Sequence, residues 1–206
     1  HLPPATAAFE IPADHAIAGF HDRSGEPAPV ATRAVALFDD DSLRFIVVCD
    51  EPDMNDLRAN CRSHDGDVFS DDCIEIFVYP ASSQSGCYYH FAANSLGTRF
   101  DERVTRSPTA PEGESTVSAL RADFTQHEKR RDWDPDWSVH ATKASDGWTL
   151  TTTIPFSAIG GRPEANSACF FNICRQRQRD DNLQLMAWSP TASNFHDVSS
   201  FGLLVF

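Results

Sequence analysis

Short apolar runs separated by turn residues are the feature that most constrains the fold of this chain. In the stretch CIEIFVYP at 73–80, Ile74, Ile76 and Val78 alternate with a second set of residues that contains Glu75. Alternation of this kind is typical of a strand that buries one face. Several such runs follow one another, and no long stretch has helical periodicity. The pattern predicts an all-β fold, either an immunoglobulin-like or jelly-roll-like β-sandwich of two antiparallel sheets or an open barrel.

The predicted strands end at clusters of Asp, Gly, Ser and Pro, which favour turns. They cover residues 8–11, 30–38, 43–49, 74–78, 87–93, 98–100, 137–143, 148–154, 168–174, 183–188 and 203–206. The Asp run at 39–41 predicts a hairpin, and residues 81–86 predict a turn. Residues 102–131 are charged and irregular, which predicts a long mobile loop. We expect a single domain over residues 1–206, in which 1–29 form a loosely structured N-terminal lead-in.

Charge and hydropathy exclude some partners. The 206-residue chain carries a formal net charge of −13 at pH 7. A surface this acidic repels nucleic-acid phosphates and anionic lipid headgroups. In addition, no apolar run approaches the ~20 residues that cross a bilayer. We therefore expect no nucleic-acid partner and no membrane insertion, and neutral ligands and cations are left as partners.

The cysteine pattern favours disulfides over a metal site. The chain has six cysteines and no CxxC pair, which argues against a zinc ribbon. An even count fits disulfides formed in an oxidising compartment, while buried free thiols are the alternative. The start of the chain, HLPPATAAF, lacks the basic and apolar regions of a signal peptide, as a mature or excised fragment would.

Motifs of common enzyme classes are missing from the sequence. It contains no GxSxG, HExxH, P-loop or GxGxxG. The carboxylate pairs Asp71–Asp72 and Asp180–Asp181 keep a glycoside hydrolase or lyase as one alternative. His90, Met54 and Met186 keep a haem-binding electron-transfer domain as another. An interaction or spacer domain without a ligand is the third.

Three aspartate-rich runs supply the hard oxygen ligands that calcium prefers. They lie at 39–41, 70–72 and 132–136, and none matches the twelve-residue EF-hand loop. Structural calcium and plain turn aspartates both remain open here. No other cofactor is expected.

Aromatic and planar polar side chains point to a sugar ligand. Sugars present apolar C–H faces and a rim of hydroxyls, which proteins grip with aromatic rings and with Arg, Asn, Gln or carboxylate groups. The aromatic candidates near strand ends are Phe69, Tyr88, Tyr89, Trp133, Trp137, Trp188 and Phe195. Polar groups in mid-strand are Glu75, Asn172, Arg175, Gln176 and Arg177. Because buried charges are costly unless paired, this second set indicates a polar concave face.

Several segments, taken in order, resemble the family 9 carbohydrate-binding modules within the wider group of DOMON-like β-sandwiches. The segments that carry the resemblance are VALFDDDSLRFIVVCDEPDM, VFSDDCIEIFV, YYHFAANSLGTRFDE, WTLTTTIPFSAIG, FFNICRQR and AWSPTASNFHDVSSFGLLVF. The resemblance runs from about residue 30 to the end. It implies a two-sheet sandwich that binds glycans, including the reducing ends of sugar chains, without cleaving them. Structural calcium occurs in some members.

The resemblance also implies a biological setting. We expect a module of a larger carbohydrate-active protein that is secreted, extracellular or periplasmic. Its partners would then be a glycan or polysaccharide and other domains of the same longer chain.

The resemblance implies a set of ligand-binding residues. They are Phe69, Glu75, Arg99, Arg175, Gln176 and, as a second aromatic platform, Trp188 or Phe195. Phe69 stands where the family usually has a tryptophan, and its smaller ring offers less stacking area. No catalytic residue is expected.

Strand parity provides one geometric expectation. Cys73 and Glu75 share one face of their strand, as do Cys174 and Gln176. If the two strands are neighbours, Glu75 lies near Gln176, and Cys73 can pair with Cys174.

Overall fold

A computed structural model describes residues 11–80, 87–106, 127–180, 182–191 and 194–206. The predicted turn at 81–86 and most of the predicted strand at 8–11 lie outside these residues. Within the described part of the chain, no helix is long and apolar enough to span a membrane.

The secondary structure consists of strands and short 3-10 helices. The strands are β1 (His21–Asp22), β2 (Thr32–Phe38), β3 (Ser42–Asp50), β4 (Cys73–Pro80), β5 (Cys87–Asn94), β6 (Arg99–Arg106), β7 (His127–Arg130), β8 (Ser138–Lys143), β9 (Gly147–Pro155), β10 (Ala168–Arg179), β11 (Asn182–Ala187) and β12 (Gly202–Val205). The 3-10 helices are Ala13–His15, Met54–Asp56, Val68–Ser70, Phe156–Ile159 and Val198–Ser200.

The strands form two antiparallel sheets. The large sheet has the order β1-β11-β10-β4-β5-β6-β7, and β12 pairs with the first residues of β10. The small sheet has the order β2-β3-β9-β8. The predicted hairpin around 39–41 joins β2 and β3, which pair antiparallel. The predicted β-sandwich is therefore confirmed.

The main core lies between the two sheets. Ile74, Ile76 and Val78 of β4 are fully buried there, together with Phe45 and Val47 of β3. Burying a side chain of this size contributes about 1.5–3 kcal/mol. The alternation seen in the sequence of β4 thus marks the face that packs onto the small sheet.

The second face of the large sheet, here called the outer face, is covered as well. Phe77 of β4 packs there in a separate cluster with Phe195, Val198 and Phe201. Val68 and Phe69 cover the neighbouring part, above β5 and β6. Because segments 68–70 and 195–201 exclude water from it, Glu75 is a buried carboxylate that is only 3% exposed.

The prediction of an irregular loop over residues 102–131 is wrong at both ends of that range. Strand β6 continues to Arg106, and β7 pairs with it in the register Arg103–Arg130 to Arg106–His127. The sequence obscures these strands because Glu102 and Arg103 interrupt the apolar alternation. Residues 107–126 lie outside the described part of the chain.

The predicted disulfides are absent. All six cysteines lie in the described residues and are free thiols, and five of them are buried. Strands β4 and β10 are neighbours as expected, but Cys73 lies opposite Gln176 and Cys174 opposite Glu75. The two cysteines are therefore diagonal neighbours, and such pairs have Cα atoms about 7–8 Å apart, too far for a bridge.

Candidate functional site

Three neighbouring strands place ionisable side chains together on the outer face. In the strand register, His90 lies directly opposite Glu102 on one side and Phe77 on the other. Glu75 is two residues from Phe77 and therefore shares its face. The side chains of Glu75, His90 and Glu102 are each at most 4% exposed.

His90 lies between two carboxylates. Its Nε2 is 2.8 Å from Glu75 Oε2, and its Nδ1 is 3.1 Å from Glu102 Oε1. Because both ring nitrogens face carboxylate oxygens, the arrangement favours an imidazolium that carries both protons. Burial lowers the pKa of His90, but Glu102 and Glu75 outweigh it, so the pKa is raised above its ordinary value.

Glu102 is the anion at the centre of this cluster. Burial raises the pKa of its carboxyl, but His90, Lys129 and His196 outweigh this effect and lower the pKa to about 2. Lys129 Nζ donates to Glu102 Oε1 at 3.2 Å and lies 3.2 Å from His196 Nε2. Tyr88 extends the network, with its hydroxyl 2.8 Å from His196 Nδ1.

Glu75 also has a partner on the adjacent strand β10. Gln176 Nε2 donates to Glu75 Oε1 at 2.6 Å. The sequence-based expectation that these two residues lie together is confirmed. Glu75 therefore lies between the amide of β10, to which it is hydrogen-bonded, and the imidazole of β5, with which it makes a close ionic contact.

Aromatic rings enclose the charged cluster. Phe77 stacks on His90 with ring centroids 4.2 Å apart and planes inclined by 8°. Phe69 lies 5.9 Å from the same imidazole and packs edge-on against Phe100. Phe69 itself is half-buried.

Four of the seven predicted ligand-binding residues lie on the outer face. They are Phe69, Glu75, Gln176 and Phe195. Phe195 is only 7% exposed and packs into the cluster around Phe77. Phe69 is therefore the more exposed of the two aromatic side chains on this face.

The other three predicted residues lie on the opposite face of the large sheet. Arg175 is fully buried and donates to the carbonyls of Ala31 and Asp50 in the small-sheet half. Trp188 stacks on Phe171 of the main core, with ring centroids 4.7 Å apart. Arg99 donates to the carbonyl of Trp137, and its guanidinium lies over that indole ring.

Four members of the outer-face cluster are not among the predicted ligand-binding residues, although the sequence offered His90 as a candidate haem ligand. They are His90, Glu102, Lys129 and His196. Each lies on a different segment, so no local motif joins them. The one sequence feature that could have pointed to them is an ionisable residue within a strand, as at His90 in β5 and Glu102 in β6.

The acidic pair in front of β4 has a structural role. Asp71 accepts hydrogen bonds from the backbone amides of Asn60 and Cys61, both at 2.8 Å. Asp72 accepts from the amide of Arg58 at 2.7 Å and pairs with Arg179. Both side chains are fully buried. These oxygens are engaged by N–H donors, so the pair does not fit as a calcium ligand set or as a pair of catalytic acids.

An open polar groove of 340 Å³ adjoins the Phe69 end of the outer face. It is lined by residues 55–60 and by Gln178, Arg179 and Asp180. Gln178 also donates to the backbone carbonyl of Phe69 at 3.0 Å, so the groove is tied to the segment that carries this aromatic residue. Amide and guanidinium groups of this kind can bond to ligand hydroxyls.

Comparison with known proteins identifies the family. A family model described as "carbohydrate family 9 binding domain-like" matches residues 7–206. The chain belongs to this family. The resemblance noted in the sequence is thereby confirmed. No curated protein sequence matches the chain.

Solved structures share the fold at low sequence identity. A protein from Bacteroides uniformis, described as a proposed carbohydrate-binding protein, has a TM-score of 0.62 and 18% identity over 86% of this chain and 78% of its own. A family 9 carbohydrate-binding module from Caldicellulosiruptor kristjanssonii in complex with glucose has a TM-score of 0.58 and 11% identity, covering 94% and 86%. A family 9 module from the same organism in complex with cellotriose has a TM-score of 0.54 and 13% identity, covering 90% and 77%.

Proposed function

We propose that this protein binds carbohydrate without cleaving it, at the Phe69 end of the outer face. The observation that carries the proposal is the match of a carbohydrate-binding family over residues 7–206. The two similar Caldicellulosiruptor modules bind glucose and cellotriose, which makes glucose-containing glycans the first ligands to test.

The chemistry of this end of the outer face suits a sugar. Phe69 supplies an aromatic face for the C–H side of a pyranose, and the polar groove beside it supplies partners for hydroxyls. Gln178 lines the groove and donates to the backbone carbonyl of Phe69. Since Phe195 is buried and Trp188 lies on the other face, we propose stacking on one platform, Phe69, rather than between two rings.

Glu75 and Gln176 supply a second layer of polar groups on the same outer face as Phe69. Both are held in place by the 2.6 Å hydrogen bond between them, and Glu75 is fixed further by His90. A sugar hydroxyl that reaches this layer would compete with Gln176 for the carboxylate. We therefore propose weak binding, in the micromolar to millimolar range, because one stacking ring and a partly open site leave little surplus free energy.

The geometry of the described residues argues against both the haem-binding alternative and the hydrolase alternative. Both ring nitrogens of His90 face carboxylates, so this histidine presents no free nitrogen to a haem iron. Asp71 and Asp72, one of the two pairs offered for the hydrolase alternative, are held by backbone amides. Asp181 of the second pair, Asp180–Asp181, lies outside the described residues. The finer setting, a module of a larger secreted protein that recognises a chain end, belongs to the proposal.

Isothermal titration with glucose, cellotriose and a panel of polysaccharides tests the function. We expect Phe69→Ala to weaken binding at least tenfold, since stacking of an aromatic ring is lost. The matched control is Phe38→Ala, which removes an exposed phenylalanine of the small sheet and should leave binding unchanged.

Cellotriose whose reducing end has been chemically reduced tests whether the protein recognises a chain end. Recognition of the reducing end predicts that this ligand no longer binds, whereas recognition along the chain predicts unchanged binding. Equal sugar affinities of the wild type and Phe69→Ala would contradict the proposed site. A wild-type protein that binds none of the sugars tested would contradict the proposed function.

A further inference from the structure

A second group of metal-ligating side chains lies apart from the outer-face cluster. It joins His64 and Asp65 of the loop before β4, Asp101 of β6 and Asp134, which follows β7. His64 Nε2 is 3.0 Å from Asp101 Oδ1, 3.5 Å from Asp65 Oδ1 and 3.9 Å from Asp134 Oδ1. The ligand atoms of His64, Asp65 and Asp101 all lie within 4.8 Å of one another.

Asp101 gives this group its deepest carboxylate. The residue is fully buried, and its Oδ1 accepts from Trp137 Nε1 at 2.7 Å. Its Oδ2 is buried and has no hydrogen-bond partner among the described residues. A buried carboxylate oxygen without a donor is costly, and a cation would supply the missing partner.

We propose that His64, Asp65 and Asp101 bind a divalent transition-metal ion of the zinc type, with Asp134 as an outer ligand. Zinc is bound by histidine nitrogen and carboxylate oxygen at about 2.0–2.2 Å, which in a tetrahedron separates neighbouring ligand atoms by about 3.4 Å. The separations of 3.0, 3.5 and 3.9 Å from His64 Nε2 are close to this value. The imidazole selects zinc over calcium, because calcium takes oxygen ligands.

The electrostatic balance supports a dication at this position and not at the outer-face cluster. Three carboxylates surround one imidazole here, of which the Asp65 and Asp134 side chains are partly solvent-exposed, so an ion has a path of entry. In the outer-face cluster the ammonium of Lys129 already lies 3.2 Å from Glu102 Oε1. A metal ion would have to displace that cation.

A metal at this site would fix the loop that leads to Phe69. Asp65 has left-handed backbone geometry, with φ of 56°, and its amide donates to the carbonyl of Arg99. The amide of Asp101 in turn donates to Asp65 Oδ1. The ion would thus join the loop at 61–67 to β6 immediately before the proposed sugar platform.

Calorimetric titration of the untagged, chelator-treated chain with zinc chloride tests this proposal. We expect one saturable site, a rise in Tm of about 5 °C at a hundredfold excess over Kd, and at least tenfold weaker binding in His64→Gln. His140→Gln, which changes an exposed histidine of β8, is the matched control and should bind zinc like wild type. Asp134→Asn, which changes an exposed side chain and should not impair folding, should also weaken zinc binding, but less than His64→Gln.

Three results would overturn the site. They are the lack of saturable zinc binding by the wild type, an unchanged zinc Kd in His64→Gln, and calcium binding that is tighter than zinc binding and is lost in the same variant. The test does not depend on sugar binding, since wild-type zinc affinity can be measured without a glycan. Failure of the proposed function and failure of this site are therefore separate outcomes.

Discussion

At the scale of single residues, His90 determines the charge balance of the outer face. It contacts Glu75, Glu102 and His196, and Lys129 contacts the last two of these. Because its folded-state pKa is raised, its contribution to stability is complete below its unfolded value of about 6.5 and is lost as the pH rises through the folded pKa. Glu102 affects stability at acidic pH. Because its folded-state pKa is lowered to about 2, its contribution to stability is complete above about pH 4.5 and is lost as the pH falls toward 2. We expect the free energy of unfolding, measured in urea, to decline in both directions.

The variant His90→Gln tests the alkaline decline. It removes the imidazolium from between two buried carboxylates, of which only Glu102 keeps a cation, Lys129. Removing one partner of such a group costs about 3–5 kcal/mol. We expect a lower free energy of unfolding at neutral pH and a flatter profile between pH 6.5 and 9. His140→Gln should retain both the stability and the profile of the wild type. An unchanged alkaline decline in His90→Gln would show that another group causes it.

Residue parity explains which site residues the sequence could predict. Glu75 and Gln176 were predictable as neighbours because the alternation of side chains along β4 and β10 puts both on the same face of the sheet. Arg175 and Gln176 cannot share a face, since successive side chains of a strand point to opposite faces. The pairing of His90 with Glu102 depends on the register of β5 against β6, which the separate strand patterns do not determine.

At the scale of secondary structure elements, the acidic pair before β4 connects a loop to the sheet. Asp71 accepts from the amides of Asn60 and Cys61 and from the side chain of Asn94 on β5. All three partners are donors. The sequence predicted a turn here, but it could not show that the partners of Asp71 lie 10, 11 and 23 residues away.

Asp71→Asn should release this loop without removing the strand. The amide that replaces one oxygen is a donor facing donors, so buried N–H groups lose their acceptor, at a cost of about 1–3 kcal/mol. Hydrogen exchange should accelerate at Asn60 and Cys61, and urea denaturation should give the lower stability. Asp40→Asn, at an exposed carboxylate paired with Arg162, is the control and should change neither quantity. Protected amides at 60 and 61 in Asp71→Asn would contradict this role of the carboxylate.

At the scale of the whole molecule, a buried ion network holds the two sheets together beside the apolar core. Glu51, which follows β3 of the small sheet, pairs with Arg175, Arg177 and Arg179 of β10 in the large sheet. Burial raises the pKa of Glu51, but hydrogen bonds from Arg177 and Arg179 lower it to about 2 overall. Arg175 and Arg177, which the sequence analysis assigned to a polar ligand-binding face, therefore join the two sheets instead.

Glu51→Gln should weaken the sandwich as a unit. The substitution leaves three guanidinium groups near a neutral amide, and loss of one partner from a buried ion group costs about 3–5 kcal/mol. Because the network spans both sheets, we expect a lower urea midpoint with one cooperative transition when tryptophan fluorescence and circular dichroism are compared. The matched control is Asp50→Asn at the adjacent position, whose partner Arg33 is exposed, and it should cost less than about 1 kcal/mol. If Glu51→Gln were no more destabilising than Asp50→Asn, the apolar core alone would hold the sheets together.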